Sequence, residues 1–254
     1  MKRVLILLLL VGCGRMEHVA EEIGLTDPPA PPPLTVDLVC DTSPGAPCNA
    51  ATLSATIDVV LPQIAARPGS ILRLWSMGDT VADAAVIGSV QTTPPKKSGT
   101  QAHKTHEERL ITSTRAYLHQ AAEPLFTATP RRSPIAETMS KVLLTTTSGA
   151  RHLVVITDAR EVSDLGNFEC GRLPTTEEWL SRLHEARALT PGSLRATHVY
   201  LVHVEHARID RERCPVTMQR IAQTNDLWRA AFQAAGATRV TITNDALTLE
   251  GDEQ

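Results

Sequence analysis

Short runs of apolar residues alternate along the chain with stretches in which an apolar residue recurs every three or four positions. This pattern predicts buried strands separated by helices. The first run that predicts a strand covers Leu34 to Asp41, and the clearest one covers His152 to Thr157. Two later runs, His198 to Val204 and Arg239 to Thr243, predict further strands. Apolar runs without polar alternation are typical of parallel strands that are covered on both faces.

The stretches between these strands have helical periodicity. Helices are predicted over residues 49–66, 104–122, 133–146, 175–189 and 216–235. Ser133 followed by Pro134 favours a helix start, because serine is a good N-cap and proline suits the first helical position. Thr175 and Glu178 have the spacing of a capping box, which predicts the start of another helix.

Strands that alternate with helices predict an α/β fold, a doubly wound and mostly parallel sheet with helices on both faces. Residues 71–77 and 84–90 predict a hairpin, which gives the sheet one antiparallel edge strand. The carboxyl ends of the parallel strands then meet at one edge, where open α/β sheets bind ligands. Function is therefore expected in the loops after Val39, Ile156 and Val204.

The first residues have the pattern of a targeting segment. A positively charged start precedes an apolar run over residues 4–11, which is typical of a secretory signal peptide. The run is too short for a membrane-spanning helix, which needs about 20 residues. It ends in Gly12 and Cys13, which resembles the lipobox of bacterial lipoproteins. The resemblance implies that cleavage removes residues 1–12 and that the thiol of Cys13 carries a lipid.

Residues 13–33 fit a tether between this lipid and a folded domain over residues 34–247, which an acidic tail over residues 248–254 follows. The end of the tether is rich in proline, which excludes helix and favours an extended chain. Arg15 follows Cys13 by two positions and is not the aspartate associated with inner-membrane retention in similar lipoproteins. We therefore expect the protein in the cell envelope, with the outer membrane favoured over the inner.

Composition excludes several classes of function. The chain has 254 residues, of which 42% are hydrophobic and 21% charged, so it can bury a sizeable core. Its formal net charge of −3 argues against a dedicated nucleic-acid binder, which usually carries a basic field. Neither a Gly-x-Ser-x-Gly nucleophile elbow nor a Gly-x-x-x-x-Gly-Lys phosphate loop occurs. We therefore expect a protein that is not an enzyme.

Polar residues at the ends of the predicted strands resemble those of von Willebrand factor A-type domains. Asp41 and Ser43 follow the first strand, Ser133 precedes a helix, and Asp158 follows the fourth strand. In that family the corresponding loops carry Asp-x-Ser-x-Ser, a threonine and an aspartate, which together bind a divalent cation. Here Ser133 stands at the threonine position, and Gly45 stands where the second serine belongs. The resemblance covers nearly the whole predicted domain.

The resemblance implies a binding or adhesion module that recognises a protein partner in the cell envelope and holds Mg²⁺ or Mn²⁺ at Asp41, Ser43, Ser133 and Asp158. Hydroxyl and carboxylate oxygens suit such hard cations. Gly45 removes one direct ligand, so the alternative is a metal-free scaffold of the same fold. A serine hydrolase built on Ser43 is a third hypothesis, for which no histidine is clearly placed to activate the hydroxyl.

Five cysteines are present, and four remain after Cys13 is assigned to the lipid. An even number in an oxidising compartment indicates disulfides, and four cysteines allow three pairings. The topology favours Cys40 with Cys48 in the loop after the first strand. It also favours Cys170 with Cys214, between the loops after the fourth and fifth strands. Such bonds would restrain the loops around the site.

Overall fold

The computed structural model describes residues 31–96, 99–128, 130–145, 149–202 and 217–249. The predicted signal peptide, Cys13, most of the tether and of the acidic tail, and Cys214 lie outside these ranges. No helix in the described ranges combines the length and the apolar character that crossing a membrane requires.

The described chain forms a sheet whose strands are β1 (Leu34–Cys40), β2 (Ile71–Ser76), β3 (Ala85–Gln91), β4 (Ala150–Ile156), β5 (Thr197–Val202) and β6 (Arg239–Thr243). Its α-helices are α1 (Ala50–Ala65), α2 (Thr100–Ala122), α3 (Ile135–Leu144), α4 (Thr176–Glu185) and α5 (Met218–Ala234). The hydrophobic pattern predicted each of these elements, with ends that differ by a few residues. The pattern did not predict the short 3-10 helix that follows α2.

The strand order is β3-β2-β1-β4-β5-β6. All neighbouring strands are parallel except β3, which runs antiparallel to β2 at one edge. The predicted doubly wound, mostly parallel sheet is therefore confirmed. The order reverses between β1 and β4, and at such a switch point the connections diverge and leave a crevice beyond the carboxyl ends of the strands. Asp41 directly follows β1, and Asp158 lies two residues after the end of β4.

Helices cover both faces of the sheet. Leu38 of β1 belongs to the buried cluster that includes Leu61 of α1, whereas the neighbouring Val39 belongs to the cluster of the opposite face. That opposite cluster contains Trp179 of α4 and Trp228 of α5, both fully buried. Because both faces are covered, successive residues of a central strand are buried alike, which explains the continuous apolar runs.

The capping box at the start of α4 is present, but this helix is shorter than predicted. The hydroxyl of Thr175 accepts a hydrogen bond from the backbone N–H of Glu178, and the carboxylate of Glu178 accepts one from the N–H of Thr175. The helix ends at Glu185 because Arg187 and Leu189 have φ angles of +56° and +48°. This left-handed conformation cannot continue a right-handed helix.

A buried carboxylate in the middle of β1 joins three strands. Asp37 is fully buried and accepts hydrogen bonds from Nε of Arg73 at 2.7 Å and Nε of Arg151 at 2.8 Å. The indole N–H of Trp75 donates to the same carboxylate at 2.8 Å. Both arginines also donate to backbone carbonyl oxygens at the end of α3. This charged cluster therefore attaches the C-terminal end of α3 to the sheet.

Candidate functional site

Polar residues from three loops meet at the switch point between β1 and β4. The hydroxyl oxygen of Ser133 lies 3.2 Å from Oδ1 of Asp41 and 2.6 Å from the hydroxyl oxygen of Ser43. Thr157, which the sequence analysis did not select, donates a hydrogen bond to Oδ2 of Asp41 at 2.9 Å. Asp158 follows directly and is 8% exposed. The structure thus brings the predicted residues to one edge of the sheet and adds Thr157 to them.

Gly45 lies in a turn of the loop after β1. The backbone N–H of Ser43 donates to Oδ1 of Asp41 at 3.0 Å, and the N–H of Ala46 donates to the carbonyl oxygen of Ser43 at 3.0 Å. Gly45 is exposed and has a φ of +89°, a conformation that favours glycine. The position where the family's second serine belongs is therefore occupied by a residue that a turn requires.

The start of α3 differs from its prediction. Pro134 stands at the N-cap without a side-chain capping bond, and the helix begins at Ile135. Ser133 instead pairs its backbone with Val162, through hydrogen bonds of 3.1 Å and 3.0 Å. Its hydroxyl is directed to the residues that follow β1. The predicted N-cap role of Ser133 is therefore wrong, because the hydroxyl of this residue is used by the site.

A buried glutamate supplies a cap for α3 in its place. Oε2 of Glu161 accepts a hydrogen bond from the backbone N–H of Ala136 at 2.9 Å. Glu161 is fully buried, and its Oε1 has no hydrogen-bond partner in the described part of the chain. Burial raises the pKa of Glu161 to about 8. The sequence carries no pattern that distinguishes this glutamate from the exposed acids of the same loop.

The two aspartates of the site are buried close to one another. Burial raises the pKa of Asp41, and hydrogen bonds from Ser43 and Thr157 partly offset this effect. Burial and the nearby charge of Asp41 raise the pKa of Asp158 to about 7. Nη1 of Arg160 lies 3.8 Å from Oδ2 of Asp158 and acts in the opposite direction. The arrangement therefore favours a further positive charge near these carboxylates.

The donor set fits a hard divalent cation. It consists of two carboxylates and the two hydroxyls of Ser43 and Ser133, all oxygen donors of the kind that Mg²⁺ and Mn²⁺ prefer. Among the described residues, no group of three or more His, Cys, Asp or Glu is placed to hold a metal ion. A cation at the switch point would therefore depend on the serine hydroxyls as well as on Asp41 and Asp158.

A disulfide closes the loop that carries Asp41 and Ser43. Cys40 and Cys48 are bonded, with their Cα atoms 5.6 Å apart, which confirms the predicted pairing. Cys170 is also disulfide-bonded. Its predicted partner, Cys214, lies outside the described residues, so that pairing stays a prediction.

Replacing both Cys40 and Cys48 with alanine is expected to lower the free energy of unfolding by about 2–3 kcal/mol. The bond closes a short loop, with a sequence separation of 8, and removes conformational freedom mainly from the unfolded chain. Urea denaturation of the variant and of the oxidised wild type measures the difference. Equal denaturation midpoints and slopes would contradict this role of the bond.

No protein family model matches the chain, and no curated protein matches its sequence. Among solved structures, the chain is similar to one described as von Willebrand factor type A from Catenulispora acidiphila, with a TM-score of 0.35 and 9% sequence identity. The match covers 81% of this chain and 43% of that one, so the chain spans less than half the length of this structure. The likeness is too distant to carry a functional argument, and the role of the site rests on its own geometry.

Proposed function

We propose that this protein is a binding module of the cell envelope that recognises a protein partner at the switch-point edge of its sheet. Asp41, Ser43, Ser133 and Asp158 would hold Mg²⁺ or Mn²⁺ there. Lipidation of Cys13 would attach the module to a membrane, with the outer membrane favoured over the inner. The proposal includes no catalytic step.

The observation that carries the proposal is the convergence of oxygen donors from three loops at one position. The hydroxyl oxygen of Ser133 lies 3.2 Å from Oδ1 of Asp41 and 2.6 Å from the hydroxyl oxygen of Ser43. Asp158 adds a second buried carboxylate, and the negative charge of Asp41 disfavours its ionisation. A divalent cation would offset this repulsion and the cost of burying the two charges.

The residues present have distinct roles in holding a cation. The hydroxyls of Ser43 and Ser133 would contact it directly, while Asp41 and Asp158 supply the negative charge that balances it. A bound cation supplies a coordination position for an acidic group of the partner. Because Gly45 contributes no side-chain ligand and lies exposed, we expect weaker binding than a site with all the family's ligands would give.

A metal-free scaffold of the same fold is the second candidate. The observation that favours it is the guanidinium of Arg160, which lies 3.8 Å from Asp158 and supplies a positive charge beside the site. In that case the loops at this edge would bind the partner without a cation. The two candidates differ in whether a chelator changes binding.

Asp158→Asn is expected to weaken Mg²⁺ and Mn²⁺ binding about tenfold, because it removes one of the two negative charges that a cation requires. Titration calorimetry of the full chain in detergent, with each metal in turn, measures the dissociation constants. The asparagine keeps the shape of the side chain and places no charge in a buried position, so the variant is expected to fold.

Asp164→Asn is the matched control for this experiment. Asp164 lies in the same loop but is 92% exposed and pairs with Arg132 at 2.6 Å. Its replacement should leave the metal affinity unchanged. Absence of saturable binding in the folded wild type would contradict the cation site and leave the metal-free scaffold as the better candidate.

A further inference from the structure

A small cavity opens beside the candidate site, between the loop after β4 and the first turns of α5. Asp158 and Arg160 line it from the loop, and Arg220, Thr224 and Asn225 line it from the helix. Its volume is about 10 Å³, which is room for one group of the size of a water molecule. The cavity is therefore too small for an organic ligand but admits the tip of a side chain.

Arg160 contributes a guanidinium that is largely removed from water. Its side chain is 11% exposed, and burial lowers its pKa. Within the described residues, its closest charged contact is the 3.8 Å pair with Asp158, and its guanidinium donates no hydrogen bond. Since a guanidinium has five N–H donors, this group is left with unused hydrogen-bonding capacity in the cavity wall.

Arg220 contributes a second guanidinium in a fixed position. Its Nη2 donates to the carbonyl oxygens of Phe168 at 2.8 Å and of Gly171 at 2.7 Å. Its Nε donates to the same carbonyl oxygen of Phe168 at 3.3 Å. In the described chain its Nη1 donates no hydrogen bond. The charge of Arg220 is near enough to lower the pKa of Arg160. Two like charges held close together favour anions beside them, and Asp158 supplies one such charge to Arg160.

The helix side of the cavity also carries an amide without a partner. Oδ1 of Asn225 is buried and has no hydrogen-bond partner among the described residues. Asn225 also lines the cavity, and rotation of its amide by half a turn would exchange Oδ1 for an NH₂ donor. A carboxylate could then accept hydrogen bonds from both arginines and from this amide.

We propose that Arg160 and Arg220 form a recognition site for a carboxylate side chain of a protein partner. This inference rests on the proposed function, because it names the chemistry of the partner that binds at the same edge. Guanidinium groups bind carboxylates through short, charge-assisted hydrogen bonds, which are stronger in a partly dehydrated position. The cavity size suits a single carboxylate oxygen. An acidic segment of the partner is therefore the ligand that this surface fits.

The arginine site and the cation site would bind an acidic partner through different interactions. A divalent cation would bind the acidic group through coordination, and a chelator would abolish that contact. The two arginines would bind it directly, and a chelator would have no effect. Binding through guanidinium groups also weakens as salt is added, because salt screens the attraction that brings an acidic partner to the arginines.

The test uses the ¹⁵N-labelled full chain in detergent micelles, with a chelator present, and a capped hexaglutamate peptide as probe. Saturable shifts of the Nε–H signals of Arg160 and Arg220 are expected, and a hexaglutamine peptide is expected to cause none. Arg160→Gln should weaken binding about fivefold or more, through the loss of a charge-assisted contact. Arg160→Lys, which keeps the charge but not the planar donor geometry, should give an intermediate affinity.

Arg229→Gln is the matched control, because Arg229 lies on α5, is 45% exposed and has a 3.7 Å contact to Asp226. It should bind the peptide as the wild type does. Thermal unfolding shows whether each variant is folded, and if Arg160→Gln is not, Arg160→Lys decides the result.

Three results would overturn the inference. One is the absence of binding by the wild type, and another is wild-type affinity in a folded Arg160 variant. The third is binding that appears only with added Mg²⁺ and does not depend on Arg160. That third result would leave the cation site of the proposed function standing. Conversely, peptide binding under chelation together with a failed metal titration would remove the cation and keep the arginines.

Discussion

Asp37→Asn is expected to lower the free energy of unfolding by about 3–5 kcal/mol, the largest effect among the substitutions considered. The carboxylate of Asp37 is fully buried and accepts hydrogen bonds from Arg73, Arg151 and Trp75. An asparagine leaves two arginines close together without a counter-charge, and Arg151 is 4% exposed. Removing one partner of a buried ion pair is strongly destabilising because the remaining charge is far from water.

Urea denaturation of wild type and variant measures this effect, and Asp58→Asn is its control. Asp58 also pairs with an arginine, Arg115, at the same 2.7 Å distance, but the two side chains are 46% and 44% exposed. Exposed pairs contribute about 0–1 kcal/mol, so this second substitution should change the unfolding free energy little. Similar losses for the two variants would show that the burial of Asp37 does not determine the size of the effect.

Glu161→Gln is expected to stabilise the protein at neutral pH and to change the pH dependence of its stability. Burial raises the pKa of Glu161 from an ordinary value of 4.5 to about 8 in the folded state. Between these values the unfolded chain releases the proton while the folded chain keeps it, so the stability contributed by Glu161 falls as pH rises. From pH 5 to pH 7.5 the loss amounts to about 3 kcal/mol, at 1.36 kcal/mol per pH unit.

The measurement is the difference in unfolding free energy between Glu161→Gln and wild type, determined at several pH values from 5 to 8. This difference isolates Glu161, because the other titrating groups are common to both proteins. A pH-independent difference for Glu161→Gln would mean that the buried carboxyl ionises near its ordinary value.

Asp37 and Glu161 act on the two ends of the same helix. The arginines bound to Asp37 donate to carbonyl oxygens at the end of α3, and Glu161 accepts a hydrogen bond from the first turn of α3. Ser133 lies directly before that helix, with its hydroxyl in the candidate site. The position of a site residue therefore depends on two buried carboxylates, both outside the set that would hold a cation.

The sequence by itself determined the fold and indicated where the candidate site lies in it. The spacing of apolar residues distinguishes strands from helices, because side chains on one face repeat with a different period in each. This spacing can be recognised within a short segment of the chain. The alternation of strands and helices then implies a parallel sheet, whose carboxyl edge collects the loops that carry Asp41 and Asp158. The Cys40–Cys48 bond was predictable for the same reason, since both cysteines flank one loop.

Only the tertiary structure decided which polar groups meet. Asp37 and Arg151 are 114 positions apart, and the pairing of β1 with β4 brings them together. The proximity of Arg160 and Arg220 likewise depends on how α5 packs against the loop after β4. The hydroxyl of Ser133 donates a hydrogen bond to the hydroxyl of Ser43, 90 positions away in the chain, instead of capping α3. Hydrophobic periodicity specifies which face of an element is buried, but the partner of a buried polar group is set by packing between distant segments.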